Sequence, residues 1–531
     1  MKPLIHIHDL SLSISHGSSK VAILKSLNLD VNTNEILGLI GRSGSGKSML
    51  ASVMMHLYEP PEVDVTGQLI YYVNDEKLDL LSQSAAFINE YRRTHTSVVF
   101  QNPVTALNPR MTCGHQIMEA IQIRRGKRSK TNRKELLDML QLVEMDEPER
   151  IASSYPHELS GGQLQRVVIA MALAKSPKLL IADELTSSLD KTTEREIIKL
   201  LLKLKREVDL SILFISHDLV LVQQISQRIA IIDHGEIIHT GHAGDLSSSN
   251  HHSIIKQLLS SRLSRLPEVS RQAPLGDELL RISSVSKTYR LSHSLFKKAQ
   301  RITALDDITI TIYASEIVGI VGESGSGKST LAKLLVGLEK ADSGAISLQG
   351  RDVWNAWSWH RRSTSRLIQI VFQNPYQSLN PKQTTSDGIK ELLLAHGSPR
   401  AGIMHRIEEL LLEVGLSAEY LHRYPSQMSG GQQQRVCIAK ALAVRPSILI
   451  CDECVAALDS VSKLEILQLL LKLNQERKLT VIFISHDIES VMAISRRILV
   501  LQKARFVYTG DIDGLYSSDN QYIRALLGQD D

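Results

Sequence analysis

Residues 36–50, ILGLIGRSGSGKSML, decide the fold: an apolar strand runs into a glycine-rich turn and then into a helical run. Gly41, Gly44 and Gly46, with Ser43 and Ser45 between them, let successive backbone N–H groups curl around phosphates at a helix N-terminus. Lys47 is suited to neutralise the β and γ charges, and Ser48 to offer an oxygen to Mg²⁺. Residues 317–331, IVGIVGESGSGKSTL, repeat every element. Gly322, Ser324, Gly325, Ser326, Gly327, Lys328 and Ser329 take the same expected roles, and two matches in matched context point to two nucleotide sites.

The chain aligns with itself at an offset of about 270 to 280 residues. VVFQNPVTALNPR (98–110) returns as IVFQNPYQSLNPK (370–382), and LSGGQLQRVVIAMALA (159–174) as MSGGQQQRVCIAKALA (428–443). Ser160 to Ser429, Asp183 to Asp452 and His217 to His486 each differ by 269. That period is too long for a solenoid and marks a domain duplication. Domains are expected at 1–262 and 279–531, with a polar, proline- and glycine-bearing linker at 263–278.

Within each half, short apolar runs such as EILGLIG, KLLIAD and ILFIS alternate with long helical patterns such as REIIKLLLKLKREV. The alternation predicts an α/β fold, a mostly parallel sheet with helices on its faces. The helix-forming stretch EAIQIRRGKRSKTNRKELLDMLQLVEM predicts a smaller helical subdomain between the QNP and SGGQ motifs.

Apolar strands deliver Asp183 and Asp452 to the edge of the sheet, on the metal side of a nucleotide. Glu184 and Glu453 follow at once and are candidates for orienting and polarising the attacking water. His217 and His486 lie 34 residues beyond each aspartate, which favours contact with the γ-phosphate and that water. Gln101 and Gln373 are candidates to reach Mg²⁺ and the water through their amide oxygens. Ser160 and Ser429 are placed to cap the helices that follow, leaving the N–H groups of Gly161, Gly162, Gly430 and Gly431 at a positive helix terminus beside Gln163 and Gln432. One domain does not need two phosphate sites for one nucleotide, so the halves are expected to pair head to tail.

Composition narrows the alternatives. Of 531 residues, 43% are hydrophobic, 22% charged and only 4% aromatic, which argues against a stacking platform for single-stranded nucleic acid. A net charge of +4 is close to neutral, so no global field draws the chain to DNA or a bilayer. No uncharged apolar run approaches a membrane span, the start MKPLIHIHDL does not read as a signal peptide, and a cytosolic chain is expected. Cys451 and Cys454 form a C-x-x-C read as a buried strand end. The basic run from Arg124 to Lys134 is read as a solvated loop.

Together, the phosphate loop, glutamine loop, SGGQ signature, acid pair, the SSLD and AALD loops and the histidine resemble those of ATP-binding-cassette ATPases, twice over nearly the whole chain. QNPxxxLNP, with YPHELSGGQ and RYPSQMSGGQ, looks like the dipeptide, oligopeptide and nickel importer subfamily, and its fused members such as the Yej peptide and microcin C importer. The resemblance implies two tandem P-loop NTPase (ABC-type) nucleotide-binding domains that bind ATP and Mg²⁺. They would act as a peripheral ATPase on the cytoplasmic face of the inner membrane. Its implied partners are two transmembrane permeases and, through them, a substrate-binding protein, without nucleic acid.

By similarity, one site joins Lys47, Ser48, Gln101, Asp183, Glu184 and His217 to Ser429, Gly430, Gly431 and Gln432. The other joins Lys328, Ser329, Gln373, Asp452, Glu453 and His486 to Ser160, Gly161, Gly162 and Gln163. Asp190 and Asp459 would end the loops through which the sites sense each other. Tyr289 is placed to stack on adenine, where the first half offers Ile14. Leu185 and Cys454 replace the family's proline, and Met428 its signature leucine. The cysteine cluster that some peptide importers use for an iron–sulfur centre has no counterpart here. A twin-cassette ATPase acting on ribosomes or DNA is the competing reading; such members carry a long charged helical insert, and the connector here is short.

Overall fold

The computed structural model describes residues 2–16, 19–42, 44–58, 62–73, 76–100, 103–125, 133–186, 189, 191–247, 266, 276–291, 300–323, 325–354, 366–456 and 458–529. The chain divides into two compact units, Met1–Leu259 and Ser260–Asp531. Apart from Leu266 and residues 276–278, the linker read at 263–278 lies outside the described residues, and Glu278 already opens the first strand of the second unit.

Each unit is built on a six-stranded sheet. In the first, the order is Glu236–His242, Arg228–Asp233, Ile36–Ile40, Ser211–Ser216, Leu179–Asp183, Thr96–Val99. All neighbours run parallel except the hairpin at the Glu236–His242 edge. The second unit repeats this with Ile317–Val321, Ile448–Asp452 and Thr480–Ser485 at its centre. These strands are apolar throughout because both faces are covered. Ile36, Ile40, Leu180, Ala182, Ile212 and Phe214 turn to the core shared with the helices Gly161–Leu173 and Lys191–Glu207. Their neighbours Leu37, Leu39, Leu179, Ile181, Leu213 and Ile215 turn to the opposite core, as the two-residue period of a strand demands.

That opposite core is closed by an element the motifs did not announce. A four-stranded antiparallel sheet in each unit starts with two fourteen-residue strands, Pro3–His16 with Ser19–Asn32, and Glu278–Leu291 with Gln300–Tyr313. The long strands bend at register shifts, where Asp9 and Ser26, and likewise Ser284 and Asp307, take positive φ. The helical subdomain forms as expected, from Cys113–Arg125, Arg133–Leu142 and Pro148–Ser153 in the first unit. Thr385–Ala395 and Ile403–Glu413 build it in the second. Of the basic run, Arg124 pairs with Glu135 at 2.5 Å, and residues 126–132 lie outside the described ones.

Each parallel sheet is tied to the antiparallel one by a buried ion pair. Glu35, with no exposed surface, accepts from Arg228 at 3.1 Å and from the Asn32 N–H at 2.6 Å. Glu316 does the same with Arg497 at 2.9 Å and the Tyr313 N–H at 2.6 Å. The four cysteines are free thiols, all buried, with Cys451 inside the strand Ile448–Asp452. Among the described residues no helix is long and apolar enough to cross a membrane.

Candidate functional site

In each unit the sheet's C-terminal edge gathers the candidate residues. The strand Ile36–Ile40 ends at Gly41, and the turn enters the helix Lys47–Met54 through Gly46 at φ 106°. Only glycine takes that conformation without strain, and a Cβ there would lie 2.7 Å from a Leu24 methyl. Gly327 repeats it at φ 114° before Lys328–Leu335. A Cβ on Gly44 or Gly325 would meet nothing within 4 Å, so these turns border open space. Ser43 and Ser324 lie outside the described residues.

Lys47 is buried and curls back, its Nζ donating to the Gly41 and Arg42 carbonyls at 2.8 and 2.9 Å. Lys328 donates to Gly322 and Glu323, both at 2.7 Å. Both ammoniums therefore rest on carbonyls of their own loop. Ser329 Oγ donates to Asp452 at 3.3 Å. Burial raises the Asp183 and Asp452 carboxyls, partly offset by hydrogen bonds from Ser48 and Ser329. Asp183 Oδ1 is buried without a hydrogen-bond partner, and so are the hydroxyls of Ser45 and Ser326.

Glu184 and Glu453 sit in left-handed backbone, at φ 49° and 52°, a costly state for a non-glycine residue that the surrounding structure must enforce. The enforcing bonds are Glu184 N–H to the Ile215 carbonyl and Glu453 N–H to Ile484, each 2.9 Å. The kink turns each carboxylate toward a histidine: His217 Nδ1 is 3.6 Å from Glu184 Oε1, and His486 Nδ1 is 3.5 Å from Glu453 Oε1. Burial pushes both glutamates up, but histidine hydrogen bonding and charge, with Lys47 or Lys328 nearby, outweigh it and hold them below the usual carboxylate range. Each histidine follows the strand next to the aspartate's own. Adjacency in the sheet thus joins a glutamate to a histidine 33 positions further on.

Ser160 and Ser429 cap their helices as expected. Each hydroxyl accepts from the N–H of Gln163 or Gln432 at 3.4 Å, and each glutamine returns an oxygen to the serine N–H at 3.1 and 2.9 Å. These boxes use two helix-end donors and leave Gly161 exposed and Gly430 half-buried. The second glycines are needed for close packing. A Cβ on Gly162 would lie 2.6 Å from Thr193 Cγ2, and one on Gly431 2.9 Å from Ser462 Oγ. Thr193 and Ser462 stand on the helices after the SSLD and AALD loops, a contact the motifs did not reveal. Asp459 caps Ser460–Arg477 through the N–H groups of Val461 and Ser462. Asp190 and Gln101 lie outside the described residues, and Gln373 is exposed just past Ile368–Val371.

Tyr289 pairs in register with Ile302, and Ile14 occupies the same register opposite Val21. The Tyr289 hydroxyl donates to Glu339, and Lys287 Nζ stands 5.6 Å from its ring centroid.

The ABC transporter family model matches residues 24–187 and 305–456, one match per unit. The glutathione import ATP-binding protein GsiA of Shigella sonnei is 34% identical over 553 residues, covering 99% of this chain and 89% of that protein. GsiA of Salmonella typhimurium is 34% identical over 555 residues with the same coverage. Among solved structures, the dimeric ATP-binding cassette MJ0796 bound to ADP and Pi is 31% identical, with a TM-score of 0.40 over 44% of this chain and 99% of that one. The chain belongs to the ABC transporter family: it is a two-cassette ATP-binding protein of the kind that couples ATP hydrolysis to import.

Proposed function

We propose that this chain energises the import of peptides or peptide-like compounds through two composite ATP sites. The supporting observation is the duplicated constellation of lysine, aspartate, kinked glutamate and histidine on each sheet edge. Both copies keep every member, so both are expected to hydrolyse ATP. Lys47 and Lys328 would leave their carbonyls for the β and γ phosphates. Glu184 and Glu453 would hold the attacking water, and His217 and His486 would position it and the γ-phosphate.

The residues fit Mg²⁺: a hydroxyl, Ser48 or Ser329, beside a carboxylate, Asp183 or Asp452, is a hard-oxygen donor set, and the orphaned Asp183 Oδ1 calls for a cation. Gln101 and Gln373 would supply further oxygens. The metal, when bound, offsets charge on the phosphate oxygens. In the composite reading, the capped helix at Ser429, Gly430, Gly431 and Gln432 closes over the nucleotide held by Lys47, and that at Ser160, Gly161, Gly162 and Gln163 over the one held by Lys328. Bare N–H groups at a positive helix end suit an anion.

The cargo class rests on similarity to proteins named for import of glutathione, a tripeptide. In the proposed assembly the chain lies peripherally on the membrane's cytoplasmic face beneath two permeases fed by a binding protein. Two measurements test this. Glu184→Gln and Glu453→Gln should each reduce phosphate release at their own site by about 10²-fold or more; unchanged steady-state hydrolysis in the double variant would sink the assignment. Cells lacking the chain should lose uptake of labelled glutathione or short peptides, and normal uptake of both would refute the cargo class.

A further inference from the structure

The second unit carries a contact to its phosphate loop that the motif chemistry does not require. The chain's last helix, Gln521–Leu527, packs on the core through Ile523 and Leu526, and Asn520 caps it by accepting from the Tyr522 N–H at 2.9 Å. From there the Tyr522 hydroxyl accepts a hydrogen bond from the Glu323 N–H at 2.9 Å, across 199 residues of sequence. Glu323 follows Gly322 in the phosphate loop. Its carbonyl accepts from Ser326 N–H at 3.2 Å and from Lys328 Nζ at 2.7 Å. Glu323 thus ties the loop's own turn and its lysine to a helix outside the nucleotide-binding motifs.

We propose that Tyr522 is a positioning residue for the second nucleotide site, holding the phosphate loop in its binding shape before nucleotide arrives. This rests on the reading of Gly322–Ser329 as a phosphate loop. A loop fixed in advance loses less conformational freedom on binding, and the difference appears as affinity. In sequence the first unit differs at both positions: IIKQLL (254–259) aligns with YIRALL (522–527), which puts Ile254 opposite Tyr522, and Arg42 stands where Glu323 does. The Tyr522 contact belongs to the second site, and the test separates it from the first.

The test uses the full chain with Lys47→Ala, so that binding of a fluorescent N-methylanthraniloyl ADP reports the second site. Adding Tyr522→Phe removes only the hydroxyl. The dissociation constant should rise roughly five-fold, the loss of one net hydrogen bond of about 1 kcal/mol. Amide exchange in the peptide holding Glu323 should quicken, while the unfolding midpoint falls by no more than about 4 °C. In a Lys328→Ala chain, which reports the first site, Tyr522→Phe should leave affinity unaltered. Equal affinity with and without the hydroxyl, or equal weakening at both sites, overturns the proposal. If the Lys47→Ala parent binds no nucleotide, the phosphate-loop reading falls and this inference with it.

Discussion

Replacing Gly319 by alanine should damage both stability and turnover in the second unit, by amounts the packing sets. Gly319 is the middle residue of the central strand Ile317–Val321, under the helix Ile488–Ile494. An added Cβ would lie 2.2 Å from Val491 Cγ1 and 2.6 Å from Ser495 Oγ, against 3.4 Å for the closest ordinary contact. Relieving the nearer contact takes about 1.2 Å, shared between side-chain rotation at Val491 and Ser495 and a shift of the helix that carries Val491. Overpacking of this kind costs about 2 kcal/mol, a fall of roughly 4–8 °C in the melting midpoint of a unit this size. The helix is capped by Asp487, directly after His486, so the part of the strain that the helix takes up is expected to move the histidine off Glu453. A misplacement near 1 Å costs about 10²-fold in rate. Phosphate release measured in a Glu184→Gln background isolates the second site, and differential scanning calorimetry reads the stability. Val491→Ala removes the nearer clash, so the double variant should melt no lower than Gly319→Ala alone and regain part of its rate. If the double variant is worse on both counts, the steric argument is wrong.

Further outcomes are expected from the same geometry. Arg497→Met leaves Glu316 buried and uncompensated, and should cost about 3 kcal/mol in denaturant unfolding; no change would mean the pair contributes nothing. Tyr289→Ala should weaken nucleotide binding at the second site, and Ile14→Tyr, in the matching register, should strengthen it at the first. Fluorescent-nucleotide titration of single-site variants checks both, and unaltered affinities would remove base stacking from Tyr289.

Much of this was legible because its signals are local. A phosphate loop needs glycines at fixed offsets, a parallel strand buried on both faces needs an unbroken apolar run, and a capped helix needs serine with glutamine three positions on. The antiparallel sheet was not legible. Its strands mix polar and apolar residues, and their register slips at Asp9 and Ser26, so the alternation that marks a half-buried strand is broken. The left-handed backbone of Glu184 and Glu453 was equally hidden, since nothing in IADEL or ICDEC favours positive φ; neighbouring strands impose it through the Ile215 and Ile484 carbonyls. Tyr522 was silent because its partner is a backbone N–H, which leaves no imprint on residue type.

The burial of the four thiols has a practical side. Cys113, Cys437, Cys451 and Cys454 are each at most 7% exposed, and burial lifts Cys113 to about 11 and Cys437 to about 12, far from the thiolate needed for alkylation. The native chain should therefore react with maleimides as slowly as a cysteine-free one. A single cysteine placed on the surface of each half can carry a dye or spin label without first rebuilding the core, and the separation of the halves can be followed through a round of ATP turnover in otherwise wild-type protein.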